Sequence, residues 1–565
     1  MAEKDYHAFR ETHVSLLPLA VGLVFFAASL TPSLIPREWF VQGILGGLVM
    51  AIGYMAGRFA LTLWRLAELP LPRGRIAMVG DLLALLPAIA IAVWNLFRAT
   101  DWQNSVRMRV AMEPTDGVHA VRVLLLAMLV FLLCFVLGRL VQRFYDILRD
   151  RLDIVMRRRT ANILGLVAVG AVLFIGTREG ILPAVMDAAD DFYEAGQDLF
   201  DPEVSPPADP RMAGSVASLV DWGAMGRPGR EFIRGGPDAK TIEAFTGRPA
   251  KKPIRVYVGR AQADTPEERA QIALAELKRL GAFERKILIV ASPTGTGWLD
   301  PGAQGTIEHM HDGDIATVAV QYSYLQSPLA LIFETASGLD QATATMHAIY
   351  SYWTALPPDR RPAFYLNGIS LGAWSSMYAF DIFQMVNDPI DGALWAGPPF
   401  PSDLWRRAME ARNPGSPYVL PQVGDGELFR FASQFADPHD HGAPWGRMRI
   451  VFLQYASDPI VFFDSGAIWR RPVWMREPPA PDVSPDLSFM PVVTQFQLAL
   501  DMALSKELPQ GYGHNYVARD YIDAWVEVTQ PEGWTAADTE RLKAWCGPQS
   551  GHGCHNERTG LSIGK

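Results

Sequence analysis

Five long apolar stretches crowd the first third of this 565-residue chain, and they constrain its fold more than any other feature. A helix needs about 20 mostly apolar residues to cross the hydrocarbon core of a bilayer, and buried helices of soluble proteins rarely stay apolar for that length. The sequence therefore predicts an all-helical transmembrane domain of five spans within residues 1–180. The predicted spans lie near residues 14–35, 40–64, 76–97, 120–140 and 160–177.

Arginine residues between these stretches predict how the chain is oriented. Loops rich in Lys and Arg stay in the cytoplasm during membrane insertion. The second connection contains Arg65, Arg73 and Arg75, and the fourth contains seven arginines between residues 139 and 159. With five spans and a cytoplasmic N-terminus, everything after about residue 180 lies outside. We therefore expect a multi-pass membrane protein, with the lipid bilayer as a partner and a C-terminal domain on the side away from the cytoplasm.

Charge and composition narrow the class of protein further. The net charge of −9 argues against a nucleic-acid binder, because membrane topology already explains the basic cluster Arg157–Arg159. Residues 181–250 are rich in Pro, Gly, Asp and Arg, and stretches such as 201–210 cannot build regular helices or central strands. We predict that residues 181–250 are a junction between two domains.

Short β-branched runs alternate with longer helical stretches between residues 251 and 530. This alternation is typical of an α/β fold, in which helices cover both faces of a mostly parallel sheet. Two inserts, at 400–447 and 465–512, are predicted to be caps over a substrate pocket, and residues 531–565 are predicted to be a tail. The predicted strands are 254–258, 286–291, 315–321, 363–366, 392–396 and 449–455, and the predicted helices are 266–280, 338–355, 372–385 and 488–505.

One predicted strand leads directly into the only G-x-S-x-G motif of the chain, and a predicted helix follows it. The motif runs from Gly368 to Gly372, with Ser370 at its centre. A strand, this motif and a helix in that order indicate a nucleophile elbow, which holds the serine in a strained conformation at the sheet edge. The two glycines leave room for the neighbouring strand and helix. Ser370 is therefore the predicted nucleophile.

The acid and the base that activate such a serine follow it in the chain, with the acid first. Asp458 comes shortly after a predicted strand and precedes a proline, which cannot continue a sheet. Asp464 is the alternative acid. Of the histidines after Asp458, His552 and His555 lie in the tail, so His514 is the predicted base.

A backbone site for the negative charge on a reacting oxygen is also predicted. Such an oxyanion hole needs two N–H groups, one from the residue after the serine and one from the loop after an earlier strand. Leu371 supplies the first. The glycine-rich loop after the strand 286–291 supplies the second, from Thr294 or Gly295.

No metal and no cofactor are expected from the histidine pattern. His309 with His311, and His439 with His441, could be taken for metal ligands. Neither pair has the i, i+4 spacing that places two histidines on one face of a zinc-binding helix. We therefore expect both pairs to lie in solvated loops.

Two of the three cysteines, Cys546 and Cys554, lie eight residues apart in the tail. In a periplasmic protein such a pair can form a disulfide. In a cytosolic protein the same pair, with His552 and His555 nearby, would instead indicate a metal site or remain as free thiols. The predicted topology favours the disulfide.

These motifs together resemble the bacterial membrane-bound α/β-hydrolase family, which has a dedicated N-terminal transmembrane domain. The resemblance covers nearly the whole chain, and it implies the α/β-hydrolase fold, the topology and a Ser370, Asp458 and His514 triad. The chain departs from the general fold because no clear final strand lies between Asp458 and His514. The matching segments are the five spans, Gly229-Arg-Glu-Phe232, Ser292-Pro-Thr-Gly-Thr-Gly-Trp298, Asn367-Gly-Ile-Ser-Leu-Gly372, Ser457-Asp-Pro459 and Gly513-His-Asn-Tyr516.

The expected function is that of a serine esterase or a lipase-like hydrolase, which cleaves an ester or thioester bond through an acyl-enzyme. A domain tethered to a bilayer suits a lipid or an acylated envelope molecule as substrate. A periplasmic acyltransferase with the same triad is an open alternative, and a non-catalytic membrane scaffold is another.

Overall fold

The computed structural model describes residues 15–70, 74–181, 205–324, 335–381, 383, 385–439, 443–547 and 553–554. Contacts between residues divide the chain into two compact units. The helical unit combines residues 1–185 with the segment 464–501. The sheet unit combines residues 186–463 with residues 502–565.

The helical unit begins with five apolar helices. Four of the described helices, α2 to α5, are long and apolar enough to cross a membrane. The helix bounds are α1 Leu16–Ser29, α2 Trp39–Leu66, α3 Arg75–Arg109, α4 Ala120–Asp153 and α5 Arg158–Ile175.

The first apolar stretch forms a helix too short to span, so the prediction of five spans was wrong and four is the supported number. Helix α1 has 14 residues. At 1.5 Å for each residue it reaches about 21 Å, whereas the hydrocarbon core is about 30 Å thick. The helix ends at Ser29, shortly before Pro32 and Pro36. Proline lacks an N–H and keeps the preceding residue out of the helical conformation, so the apolar pattern continues beyond the point where the helix can.

Glycines allow α1, α2 and α4 to approach each other closely. A Cβ on Gly47 of α2 would lie 2.6 Å from the carbonyl oxygen of Ala127 in α4. A Cβ on Gly22 of α1 would lie 2.8 Å from the carbonyl oxygen of Met50 in α2. Small residues at such contacts are usual in membrane proteins, where close packing replaces the hydrophobic effect as the force between helices.

The sheet unit is built on seven parallel strands in the order β1-β3-β2-β4-β5-β7-β6. Almost all strand residues are buried, as expected for a parallel sheet covered on both faces. This is the mostly parallel α/β sheet that the sequence predicts. The strand bounds are β1 Ile254–Val258, β2 Ile287–Ser292, β3 Ile315–Val320, β4 Ala363–Ile369, β5 Gly392–Ala396, β6 Phe429–Ala432 and β7 Arg449–Leu453.

Helices α8 to α12 connect consecutive strands, whereas α6 and α7 precede β1, and α13, α15 and α16 follow β7. Helix α14 lies largely in the segment 464–501. Helix α10 packs on α8 and on α11, and α9, α15 and α16 form a second group. The bounds are α6 Gly226–Arg234, α7 Ala239–Thr246, α8 Pro266–Arg279, α9 Pro301–Met310, α10 Thr335–Ala355, α11 Leu371–Ala379, α12 Asp403–Glu410, α13 Pro459–Phe462, α14 Val493–Ala503, α15 Ala518–Thr529 and α16 Ala536–Cys546.

The structure differs from the sequence prediction in three segments. Strand β6 lies inside the predicted cap insert 400–447, where a four-residue strand is too short to produce a recognisable pattern. Helices α6 and α7 lie inside the predicted junction 181–250. Residues of the predicted cap 465–512 belong to the helical unit up to residue 501. One feature agrees with the sequence, which shows no clear final strand between Asp458 and His514. No strand lies between β7 and α15, a stretch that the structure describes throughout.

Strand order determines where a functional site can lie. Parallel strands end at the same edge of a sheet, and ligands of open α/β sheets bind at that edge. Strands β2, β4, β5 and β7 are consecutive neighbours. The loops after these four strands contain Gly295, Ser370, Gly397 and Asp458, respectively.

Candidate active site

Ser370 occupies the sharp turn between β4 and α11. Its backbone has φ +56° and ψ −130°. A left-handed φ of this kind costs a non-glycine residue about 1–3 kcal/mol, and it persists only where the surrounding structure enforces it. The amide of Ser370 donates to the carbonyl of Ala396, at the end of β5, over 3.0 Å. The turn brings the serine to the first turn of α11, where the helix dipole favours negative charge.

The two glycines of the elbow have no room for a side chain. A Cβ on Gly368 would lie 2.5 Å from the backbone of Gly372. A Cβ on Gly372 would overlap the carbonyl oxygen of Ser292, at the end of β2. Both obstacles are backbone atoms, which cannot rotate away as a side chain can. The spacing of the motif is therefore required by the close approach of β2, β4 and α11.

Asp458 and His514 form a buried pair. Nδ1 of His514 lies 2.7 Å from Oδ2 of Asp458, and both side chains are almost wholly buried. Asp458 also caps α13, where its Oδ1 accepts from the amide of Ile460 over 2.9 Å. Because a carboxylate only accepts hydrogen bonds, Nδ1 carries the proton and Nε2 is the basic nitrogen of the ring.

The loop that carries His514 is held in place by its neighbours. The amide of Gly513 donates to the hydroxyl of Ser457 over 2.9 Å, and the amide of His514 donates to the carbonyl of Ser505 over 3.1 Å. Gly397, directly after β5, has φ +52°, and a Cβ there would lie 2.7 Å from Cε1 of His514. Glycine at this position makes room for the imidazole.

Ser370 and His514 approach the same point of the sheet, since Ser370 bonds to Ala396 and His514 packs on Gly397. Nε2 of His514 is buried and has no hydrogen-bond partner among the described residues, so no hydrogen bond joins it to Ser370. Hydrogen bonds between catalytic groups are often long in free enzymes and shorten when the substrate binds. The arrangement leaves a basic nitrogen unpaired in a buried site.

Two backbone amides are available for the charge on a reacting oxygen. Leu371 is the first residue of α11, so its N–H has no partner within the helix. In the loop after β2, the amide of Thr294 donates to the carbonyl of Trp298 over 3.0 Å. The amide of Gly295 forms no hydrogen bond with the described part of the chain. Of the two candidates for the second donor, Thr294 is therefore already engaged and Gly295 is available.

Two buried side chains anchor this loop from the sheet. The hydroxyl of Tyr257, on β1, donates to the carbonyl of Gly297 over 2.8 Å. The side-chain amide of Gln321, directly after β3, donates to the carbonyl of Thr296 over 3.3 Å. An anchored loop keeps its free amide in position, so that binding an oxyanion requires little rearrangement.

Asp464, the alternative acid, has a different partner. It lies in the later segment of the helical unit. Its Oδ1 accepts from the amide of Gly466 over 2.7 Å, at the start of a short helical turn. The structure therefore pairs His514 with Asp458 and not with Asp464.

His309 is buried within α9, so the expectation that it lies in a solvated loop was wrong, and the histidines considered as metal ligands make other contacts. The ring of His309 contacts a backbone carbonyl of its own helix at 2.6 Å, His311 contacts a threonine hydroxyl at 2.9 Å, and His439 pairs with Glu527 at 2.5 Å. Burial lowers the pKa of His311 to about 4. Within the described ranges, no group of three or more His, Cys, Asp and Glu side chains could hold a metal ion. The other histidines considered, His441, His552 and His555, lie outside the described residues.

The two tail cysteines are joined. Cys546 is the last residue of α16, and a disulfide links it to Cys554. Both residues are buried. The disulfide joins residue 554 to the end of α16, and a Cβ on the neighbouring Gly553 would lie 2.8 Å from the carbonyl oxygen of Pro301 at the start of α9.

Sequence reasoning missed two residues of this site. Tyr516 donates its hydroxyl to Asp458, and Gly397 makes room for the ring of His514. The available signal for Tyr516 was its spacing, two residues after the histidine in Gly-His-Asn-Tyr. Nothing in the sequence distinguishes Gly397 from other glycines that follow strands.

Matches to known protein families cover residues of both units. A model of the alpha/beta-hydrolase family matches residues 254–542, and a model of the N-terminus of that family matches residues 30–237. The first match contains all seven strands and the three residues Ser370, Asp458 and His514, and the second contains the four long apolar helices. No curated protein matches the chain, and no solved structure does. The chain therefore belongs to the alpha/beta-hydrolase family, and it carries the N-terminal part of that family as well.

Proposed function

We propose that this protein is a membrane-anchored serine hydrolase that cleaves an ester or thioester bond. The observation that carries the proposal is the buried Asp458 and His514 pair, whose second ring nitrogen is unpaired and lies on the same strand end as the elbow of Ser370. Buried polar atoms are nearly always hydrogen-bonded, so an unpaired one needs a reason. A basic nitrogen beside a strained serine is what acyl transfer requires.

The first half of the proposed reaction forms an acyl-enzyme. Nε2 of His514 accepts the hydroxyl proton of Ser370 while Oγ attacks the carbonyl carbon of the substrate. The carbonyl oxygen becomes an oxyanion, which binds the N–H groups of Leu371 and Gly295. The imidazolium then gives its proton to the departing alcohol or thiol as the bond to the acyl carbon breaks.

The second half releases the acid. His514 accepts a proton from a water molecule, and the resulting hydroxide adds to the acyl carbon. When the new oxyanion collapses, the acid departs and the proton returns to Ser370. Asp458 keeps Nδ1 protonated throughout and stabilises the imidazolium, without itself accepting the proton.

A lipid or an acylated envelope molecule is the proposed substrate. Helices α3, α4 and α5 have mostly exposed apolar side chains, as helices surrounded by lipid do, whereas α2 is half buried among its neighbours. An enzyme anchored in this way can act on a molecule that remains in the membrane.

We place the reaction on the periplasmic side of a bacterial inner membrane. Arginines cluster where α2 leads into α3, at Arg65, Arg73 and Arg75, and where α4 leads into α5, with seven between residues 139 and 159. Cationic segments of this kind stay in the cytoplasm. Helix α5 then leads outward whether or not α1 crosses. The correction from five spans to four therefore moves only the expected side of the N-terminus, from cytoplasmic to periplasmic. The disulfide favours the same side for the sheet unit, because the cytoplasm keeps thiols reduced.

Labelling with a fluorophosphonate probe tests the proposal, because the probe reacts covalently with an activated serine. We expect the detergent-solubilised full chain to be labelled, and Ser370→Ala and His514→Ala to lose labelling. Ser375→Ala is the matched control. Ser375 is a buried serine of α11, the helix that follows Ser370, and its hydroxyl donates to the backbone carbonyl of Gly372. A folded wild-type protein that never reacts would refute the enzyme proposal and favour a scaffold.

Product analysis with labelled substrates then separates hydrolysis from acyl transfer. Release of the free acid supports the hydrolase. Appearance of the acyl group on an added alcohol or amine, with little free acid, would identify an acyltransferase that uses the same three residues.

A further inference from the structure

The carboxylate of Asp458 has a second side-chain donor besides His514. The hydroxyl of Tyr516 lies 2.8 Å from Oδ2 of Asp458, the same oxygen that Nδ1 of His514 contacts at 2.7 Å. The other oxygen accepts from the amide of Ile460 over 2.9 Å. Since a carboxylate only accepts, the phenol is the donor. All three side chains are buried, so water does not replace these contacts.

The ring of Tyr516 is held by contacts that do not involve its hydroxyl. It stacks on the ring of Tyr455, with the ring centres 4.3 Å apart. Gly397 also lies close to the ring, since a Cβ there would be 2.8 Å from Cε2 of Tyr516. A phenylalanine at 516 would therefore keep the ring in place and remove the hydrogen bond to Asp458.

We propose that Tyr516 is a positioning residue for the reaction at Ser370, acting through the carboxylate oxygen that orients His514. The proposal rests on the function proposed above. Tyr516 does not touch the reacting atoms. Its hydroxyl prevents the carboxylate from rotating, and it takes up part of the negative charge on Oδ2.

Both effects have consequences for the base. A carboxylate fixed in two directions keeps the imidazole aimed at the serine, which favours a fast reaction. A carboxylate that shares its charge with a phenol stabilises the imidazolium less than a carboxylate without that donor does. Removing the hydroxyl should therefore slow the reaction and move the acid side of its pH profile to higher pH.

Other titratable groups lie close to this cluster, and the test must separate their effects. The hydroxyl of Tyr455 donates to Asp520 of α15 over 2.5 Å, and Tyr521 of the same helix donates to Asp300 over 3.0 Å. Burial raises the pKa of Asp520 to about 6 and that of Asp300 to about 7. Lys506, beyond Asp300, contributes a positive charge. Tyr455 provides a matched control, because its hydroxyl is buried in the same stack but bonds to Asp520 instead of Asp458.

The experiment measures the rate constant of fluorophosphonate labelling between about pH 5 and about pH 9 for the full chain in detergent. We expect Tyr516→Phe to lower the plateau rate about tenfold, the usual loss for one hydrogen bond to a charged group. We also expect the acid side of the profile to move up by about half a pH unit. Tyr455→Phe should leave the midpoint of the acid side unchanged. Thermal unfolding of both variants shows whether they are equally well folded.

The outcomes separate this inference from the proposed function. A wild-type protein that is not labelled refutes the function and the inference together. A labelled wild type with an unshifted Tyr516→Phe profile refutes the inference alone. Equal shifts in the two variants also refute it, because the effect would then come from the aromatic stack and not from the bond to Asp458.

Discussion

The helical unit and the sheet unit each bury an aspartate, and the surroundings of the two carboxylates differ in kind. Asp501 of the helical unit accepts from the hydroxyl of Ser33 over 2.9 Å and from the amide of Leu34 over 3.0 Å. Burial raises the pKa of Asp501 to about 6, while the buried guanidinium of Arg37 opposes that rise. None of these partners is a base. Asp501 therefore ties α14 to the turn between α1 and α2.

Asp458 of the sheet unit also has donors on both oxygens, but one of them is an imidazole. That pairing leaves Nε2 of His514 unpaired, and it lies at the same sheet edge as Ser370, whose backbone is strained. Both features reduce the stability of the unit locally. The comparison indicates that a buried carboxylate supports structure when its partners are inert and supports chemistry when one partner can take a proton. Substitutions should separate the two roles.

The largest expected effect is on the rate at which Ser370 is labelled, in the sheet unit. Asp458→Asn should lower the labelling rate about 10⁴-fold, because an amide stabilises the imidazolium poorly and can turn the imidazole to the wrong tautomer. The unfolding temperature should change little, since asparagine keeps the size of the side chain. Asp464→Asn is the control and should react like the wild type. A labelling rate above a tenth of the wild-type rate in Asp458→Asn would show that Asp458 is not the acid.

The next effect is on stability in the helical unit. Asp501→Ala should destabilise this unit by about 3–5 kcal/mol, because it leaves the buried charge of Arg37 without its counter-charge. Asp486→Ala, at an exposed position of the same segment, should cost almost nothing. Thermal unfolding in detergent measures both. Protein that remains folded should still be labelled at Ser370, and a specific loss of labelling without loss of stability would contradict the division of roles.

A smaller effect should come from displacing the base within the sheet unit. Gly397→Ala places a methyl group against the His514 ring and should lower labelling about 100-fold, as small misplacements of catalytic groups do. Gly415→Ala is the matched control, because Gly415 also has a positive φ of +85° but no atom within 4 Å of the added carbon. Both variants bear the same kind of backbone strain. Equal rates for the two would mean that the contact with His514 has no consequence.

Local patterns in the sequence predicted the parts of the fold that depend on neighbours in the chain. Six of the seven strands lie where runs of β-branched residues predicted them, because strands buried on both faces need continuous apolar side chains. The seventh, β6, has four residues and pairs only with β7, so its identity depends on a partner that follows it in the chain. The prediction that the first apolar stretch spans the membrane was wrong for a local reason. Its composition is apolar throughout, but two prolines end the helix.

The sequence by itself determined which residues can form the candidate site, since the elbow motif and the order of acid and histidine are local or sequential features. It also determined the apolar helices and the α/β class. Only the tertiary structure decided that Thr294 is engaged and Gly295 available, that Gly397 makes room for the imidazole, and that Tyr516 shares an oxygen with His514. The contacts of Gly397 and Tyr516 join segments far apart in the chain, and the bond from Thr294 to Trp298 depends on how its loop is held by the sheet. All three depend on how strands and loops pack, which periodicity and spacing do not encode.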